Sequence, residues 1–357
     1  MTADGEQTTS HVRYEPSLGR AARVGSWDEL TKGTFRTARD LLAAGDREGA
    51  AQLLEVSVLE ATELRDVYDR WPANSAEWIR AQGATAEQVT DALADLAAKI
   101  GPEAMAGIAE AWPRFVNAVE RAADLCRSGD AGADEAIEAT RATWQTVHDQ
   151  AVDRLSGLID VAARLLGESA VPRLWDHLMN EWYDLHCARY DVRNQRWPIS
   201  INQLMIAIVD GFHAHLSGAD RQGDIEMIEE ADRIGFRFAP CGSGGRSLDP
   251  RITDGKPRAG APYEFAVTTQ AHDWAWNKIG ICSYCVHCCL LNEVVPIDRL
   301  GYPTRVIDAP TWPASTTDAS CTWWIYRDPS LVPDSVYHRV GRDPARRPSP
   351  IRGDGDG

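Results

Sequence analysis

Nine residues, Ile281 to Cys289 (ICSYCVHCC), hold four of the chain's eight cysteines and one of its nine histidines. Cys282, Cys285 and Cys288 recur at every third position. Thiolates so spaced can converge on one ion from a single turn of chain. Cys-x-x-Cys is a half-site for zinc, but a zinc ribbon keeps its two pairs apart, and here Cys282–Cys285 and Cys285–Cys288 overlap. The same run has the spacing of part of an iron–sulfur site. A fourth donor must come from elsewhere, and Cys241, Cys321, His287 and Cys289 are the candidates. The preferred set is Cys241, Cys285 and Cys288, completed by Cys282 or His287. With His287 the mixed nitrogen and sulfur donors suit zinc or iron(II).

A second stretch, Cys241-Gly242-Ser243-Gly244-Gly245-Arg246, follows an expected strand. Its glycines let the backbone bend sharply and come close to a ligand. Three readings stand side by side: Cys241 as a nucleophile beside an anion-binding nest of glycine amides, Cys241 as a metal ligand, or a tight turn with a buried thiol. A phosphate loop is excluded, because the Gly-Lys-Ser/Thr ending is missing. Arg246 is a candidate to hold a substrate carboxylate through paired hydrogen bonds. Glu293 and His287 are the candidates for moving protons. Glu293 follows the cluster as a non-ligand glutamate follows the metal in zinc deaminases, although the order of residues differs. The bland counterparts are a solvated glutamate and a zinc knot that only pins a loop-rich module. Trp274, Trp276, Trp323 and Trp324 either wall a pocket or cover the core.

Composition narrows the partners. A chain of 357 residues is long enough for about two domains. With 44% apolar and 25% charged residues it reads as a globular protein. A formal charge of −16 argues against non-specific nucleic-acid binding and against docking on anionic membranes. There is no apolar run of membrane-spanning length, and MTADGEQTTSHVRYEP lacks an apolar signal core. The expectation is a cytoplasmic protein with a small-molecule substrate, its homo-oligomeric state left open. In that compartment thiols stay reduced, so clustered cysteines point to metal or catalysis rather than to disulfides.

The elements that must position these residues read as mainly α: an N-terminal helical bundle followed by a small Cys-rich α+β metal-binding module. Residues 1–25 are polar and expected to be a disordered arm, and 341–357 a disordered tail. From 26 to 235 apolar residues such as Leu41, Leu42, Leu53, Leu54 and Val58 recur at three- and four-residue steps. Breaks are expected at Gly45-Asp46, Trp71-Pro72, Gly83, Gly101-Pro102, Gly129-Asp130 and Gly167. Ala38-Arg39-Asp40-Leu41 before Gly45-Asp46 is echoed 84 residues on by Ala122-Ala123-Asp124-Leu125 before Gly129-Asp130, the signature of two related helical units. A helix from Val171 to about Asp191 sets His177, Glu181 and Asp184 on one face, read as a solvated face rather than a metal site. His213 and His215 close the next helix. Residues 236–340 form the second unit, with short strands expected at 235–239, 263–269, 304–307 and 322–326.

Pro240-Cys241-Gly242-Ser243-Gly244-Gly245-Arg246 followed by Tyr284-Cys285-Val286-His287-Cys288 resembles a group of uncharacterised bacterial proteins carrying both motifs behind a helical N-terminal half. In texture, and in a key cysteine of the C-terminal third, the chain is also similar to the L-2-amino-thiazoline-4-carboxylate hydrolase-like family. That resemblance implies a cytoplasmic, cysteine-dependent hydrolase that opens a small sulfur–nitrogen ring, with Cys241 as the residue carried over. The cluster 282–289 has no counterpart in that family. The expectation is a zinc- or iron-dependent hydrolase or lyase cleaving a C–N or C–S bond. A non-catalytic protein with a structural zinc site, and an iron–sulfur or redox protein, are the alternatives.

Overall fold

A computed structural model describes residues 10–313 and 319–349. The chain is mainly α. A hairpin of β1 (Val12–Glu15) and β2 (Arg20–Arg23) comes first. Helices follow: α1 (Trp27–Leu30), α2 (Thr34–Ala43), α3 (Arg47–Ala81), α4 (Ala86–Ile100), α5 (Pro102–Ala106), α6 (Ile108–Ser128), α7 (Ala133–Leu166), α8 (Ala170–Arg189) and α9 (Trp197–Ala214). Their ends follow local chemistry. Asp46 caps α3 by accepting from the Gly49 N–H at 2.8 Å. Thr85 and Gln88 form a reciprocal capping box on α4. Gly129, at a φ of 69°, closes α6 in the left-handed conformation that an L side chain resists.

The long helices α3 and α7 are the frame of the bundle. Every residue of α7 from 151 to 162 except Arg154 is buried, so this stretch is surrounded rather than laid on a surface. At Gly157 an added Cβ would fall 2.2 Å from Leu96, which is how closely α4 crosses it. The expected stop at Trp71-Pro72 is not there. Pro72 lies inside α3, flanked by buried Tyr68, Trp71 and Ser75, and that packing outweighs the lost backbone bond. Both stretches of the 84-residue echo end one helix, turn, and enter a long one, α3 or α7.

The second half is built around a four-stranded antiparallel sheet. Its strands are β3 (Glu226–Glu229), β4 (Arg233–Phe238), β5 (Val306–Asp308) and β6 (Cys321–Tyr326), in the order β3-β4-β6-β5. Between β4 and β5 runs irregular chain, then a helical run: a 3-10 turn Ser283–Cys285, α10 (Val286–Cys289), a π turn Leu290–Val294 and α11 (Val295–Leu300). A short helix α12 (Asp334–Arg339) follows the sheet.

Several sequence expectations change here. The boundary at 235 falls inside β4, because that strand pairs with β3 before it and β6 after it. One hydrophobic core runs through both halves. Trp175 donates to the Ser283 carbonyl at 2.9 Å, Trp197 to the Tyr326 carbonyl at 2.8 Å, and the Tyr68 and Tyr284 hydroxyls meet at 2.7 Å. Residues 263–269 form no strand, only a single bridge between Val267 and Cys282. Part of the expected arm is the β1–β2 hairpin, fixed to α9 by the Arg20–Asp210 ion pair. Residues 1–9 of that arm lie outside the described residues. In the expected tail, Arg342 pairs with Asp298 at 2.8 Å and Asp273 at 3.1 Å, while 350–357 lie outside the described residues.

Candidate functional site

Between α3, α8 and α9 on one side and the Cys-rich segments on the other lies a cavity of about 410 Å³. Its rim carries Glu63, Leu185 and Arg189, all exposed. Its walls are largely apolar, with Val67, Trp71, Met179, Trp182, Phe212 and Trp323 among them. Four cysteines drawn from three separate segments face it: Cys241, Cys285, Cys288 and Cys321. All eight cysteines are free. Sulfur atoms 80 residues apart in sequence (241 to 321) therefore share one space.

Local chain geometry places each thiol. Cys282 precedes the helical run, and its Sγ accepts the Cys285 N–H at 3.2 Å. It is buried and sits behind Cys285 rather than on the cavity wall. Gly244 backs the pair: a Cβ there would lie 2.5 Å from Cys285 Sγ and 3.9 Å from Cys282 Sγ. This close approach is the reason the loop needs glycine at 244. Burial works to raise the Cys282 thiol. Hydrogen bonds from Cys285, the Ser247 hydroxyl and the Tyr284 N–H outweigh it and hold Cys282 below the usual value. Cys285 goes the other way, pushed well up by its bond to Cys282 and by burial. Burial likewise pushes the Cys288 and Cys321 thiols up.

His287 and Cys288 are neighbours at the cavity wall. His287 Nδ1 donates to the Tyr284 carbonyl at 2.5 Å, and its Nε2 lies 3.4 Å from Cys288 Sγ. The first bond fixes the tautomer, so Nε2 carries the lone pair that faces the thiol. Burial lowers the imidazole to about 4, which keeps it neutral near pH 7, with Nε2 open as an acceptor. Nucleophile, base and orienting group are thus in line.

Arg305 is the group that the sequence reading missed. It lines the cavity and is 8% exposed. Its guanidinium lies 4.8 Å over the Trp323 ring, and its Nε is buried without a hydrogen-bond partner. No carboxylate pairs with it among the described residues. Burial lowers its pKa, the expected cost of a cation held in apolar surroundings. The available signal was a charged residue directly before the apolar pair Val306-Ile307, where an arginine without function would be expensive. Tyr68 and Tyr284 also line the cavity. One hydroxyl donates to the other, which leaves one phenolic proton for an occupant.

Two expected residues are placed elsewhere. Arg246 does not reach the cavity; it pairs with Asp149 and Asp153 of α7, each at 2.8 Å, and so ties the Cys241 loop to the bundle. Glu293 is fully buried away from the cavity. It accepts from Trp276 Nε1 and the Ile307 N–H at 2.8 Å and pairs with Arg339 at 2.6 and 3.1 Å, so both oxygens are engaged. Burial raises its pKa. The expected ligand set is gathered only in part. Cys241, Cys285, His287 and Cys288 share the cavity and Cys282 lies behind it. Among the described residues no group of three or more His, Cys, Asp or Glu side chains is arranged to hold a metal ion. On α8, His177 stacks on Trp78 and Asp184 pairs with Arg299, a solvated face as expected. His213 is buried against Glu60 at 3.2 Å, whereas His215 faces the cavity.

Comparison of the chain with protein-family models, with curated proteins and with solved structures found no match. Among the described residues no helix is long and apolar enough to cross a membrane.

Proposed function

We propose that the cavity is the active site of a thiol-dependent enzyme that cleaves a C–N or C–S bond of a small, flat, anion-bearing molecule. The observation that carries this reading is the contact between Cys288 Sγ and His287 Nε2 at 3.4 Å, with Nδ1 committed to a carbonyl. Cys288 gives its proton to His287 Nε2 as Sγ attacks an electrophilic carbon. The electron pair displaced onto oxygen or nitrogen is met by the free phenolic proton of the Tyr68–Tyr284 pair. As the C–N or C–S bond breaks, His287 returns the proton to the leaving group. Water then splits the Cys288-bound intermediate and restores the thiol. Arg305 holds the anionic group, and the aromatic walls take the flat body. The similarity to the L-2-amino-thiazoline-4-carboxylate hydrolase-like family agrees in reaction class, with Cys288 rather than Cys241 as the attacking sulfur.

A second reading keeps a zinc or iron centre. It is favoured by the four thiols on one cavity, since sulfur donors suit soft ions. Elemental analysis of the purified protein separates the two: a stoichiometric metal supports the second. For the first, p-nitrophenyl acetate serves as a small activated acyl donor. A burst of about one equivalent of p-nitrophenolate, absent in Cys288→Ser and slowed about a hundredfold in His287→Gln, is expected. A burst untouched by either substitution removes the reading.

A further inference from the structure

A chain of three side chains leads from the bundle to the cavity wall. Asp149 of α7 is gripped by Arg221, at 2.7 and 2.9 Å, and by Arg246 at 2.8 Å. Its Oδ1 accepts from His148 Nδ1 at 2.9 Å. That bond places the His148 proton on Nδ1 and leaves Nε2 as an acceptor. His148 Nε2 lies 2.9 Å from His215 Nδ1, which must therefore donate. His215 then carries its lone pair on Nε2. This ring is only partly buried, it lines the cavity, and its Nε2 has no protein partner among the described residues.

The relay is held rigidly. The His148 side chain is fully buried, with the Trp144 ring 5.9 Å and the Tyr68 ring 6.1 Å away, centroid to centroid. His215 caps the end of α9, and the Cys241 loop presses on its backbone: a Cβ at Gly242 would fall 1.7 Å from the His215 carbonyl oxygen. Nothing in the thiol step uses this arrangement. Each neutral imidazole has one donor and one acceptor nitrogen; His148 has both engaged, and His215 has only Nδ1 engaged among the described residues. Here the geometry directs a lone pair into the cavity and backs it with an acceptor and an anchored carboxylate, the order of parts found wherever an imidazole must take up a proton.

We propose that His215 is a second base of this cavity, acting on the water that releases the Cys288-bound product, with His148 and Asp149 as its positioning residues. The proposal rests on the thiol reading of the preceding subsection. Water attacks the carbonyl carbon of the thioester while His215 Nε2 takes one of its protons. The C–S bond breaks, its electron pair returns to Cys288, and His215 hands the proton on to that sulfur through solvent in the cavity. The acid leaves with the hydroxyl, and no oxidant or reductant is required. His287, one residue from the sulfur it serves, acts in the first half; His215, reaching in from the end of α9, acts in the second.

Stopped-flow mixing with p-nitrophenyl acetate tests this, because the burst reports attack by sulfur and the later steady state reports release. In His215→Gln the steady state is expected to fall about a hundredfold or more, far more than the burst rate. In His215→Ala, added imidazole is expected to restore part of it, which a folding defect would not allow. His148→Gln, whose amide oxygen still accepts from His215 Nδ1, should retain more turnover than His148→Phe. Equal loss of burst and steady state in His215→Gln overturns the proposal, and so does no loss in either, or no rescue by imidazole. A wild-type protein that reacts at Cys288 but never turns over also overturns it and leaves the thiol reading intact. A wild-type protein with no burst removes both.

Discussion

Replacing Arg305 with methionine should make the empty protein more stable and deprive it of its ligand. The reasoning starts from a cation that is 8% exposed, lines an apolar cavity and pairs with no carboxylate among the described residues. Burying one charge still costs about several kcal/mol after relaxation. Against this stands attraction to the Trp323 face at 4.8 Å, worth about 0.5–2 kcal/mol. Methionine keeps an unbranched apolar stem against that ring and discards the charge. The net gain is then on the order of 1–3 kcal/mol, the size seen when buried ionic groups give way to apolar ones. At roughly 2 °C per kcal/mol, as in larger domains, Tm rises by about 2–6 °C. Benzoate is a suitable probe, being flat with a single carboxylate, and benzamide is its neutral control. At a hundred times its Kd, benzoate should stabilise the wild type by about 2.7 kcal/mol and leave Arg305→Met unmoved. Thermal and guanidinium denaturation, with and without each compound, measure both effects. If Arg305→Met is less stable when empty and benzoate protects it as well as the wild type, the assignment of Arg305 to an anionic ligand is wrong.

Other outcomes follow from the same geometry. Gly244→Ala sets a methyl 2.5 Å from Cys285 Sγ, so it should destabilise by about 1–3 kcal/mol in urea and shift the Cys285 side chain in a crystal structure. Glu293→Ala leaves Arg339 and Trp276 without their buried acceptor and should cost about 3–5 kcal/mol, while the p-nitrophenyl acetate burst of the folded fraction stays unchanged. Asp210 gives a pH dependence. Burial and the nearby Glu60 push it up to about 7 in spite of Arg20. Its folded value lies above the unfolded value of about 3.9, so the contribution is fully present below that pH and is lost as pH rises through 7. Denaturation midpoints should therefore fall between about pH 4 and 7, and Asp210→Asn should flatten that part of the curve.

Much of the helical half was legible because its signals are local. Asp46, Gly101, Gly129 and Gly167 mark ends by their own side chain or by its absence, and the helices begin or end there. Pro72 misled, since its cost to the helix is outweighed by packing that involves distant residues. The boundary at 235 misled for a related reason: the change in composition is real, but β4 is paired across it and the core continues through it. Of the site, sulfur was readable from type and spacing, and Cys241, Cys285 and Cys288 do open on one cavity. Arg246 and Glu293 looked equally reactive on paper. Which charged side chains are already satisfied depends on contacts with Asp153 and Arg339, 93 and 46 residues away in sequence, and no local pattern encodes that. For the same reason Arg305 has no decisive signature in the sequence, and His215 reads only as one of two histidines at a helix end. What sets them apart is that one has no counter-ion among the described residues and the other turns a lone pair toward the cavity, and neither shows in a one-dimensional string.

The account stands or falls on which sulfur reacts first. Wild-type protein treated with one equivalent of p-nitrophenyl acetate, quenched in acid and digested, should carry the acetyl group on the peptide fragment ion that contains Cys288. Label on Cys241, Cys285 or Cys321 in its place, or spread over several cysteines, would contradict the pairing of Cys288 with His287.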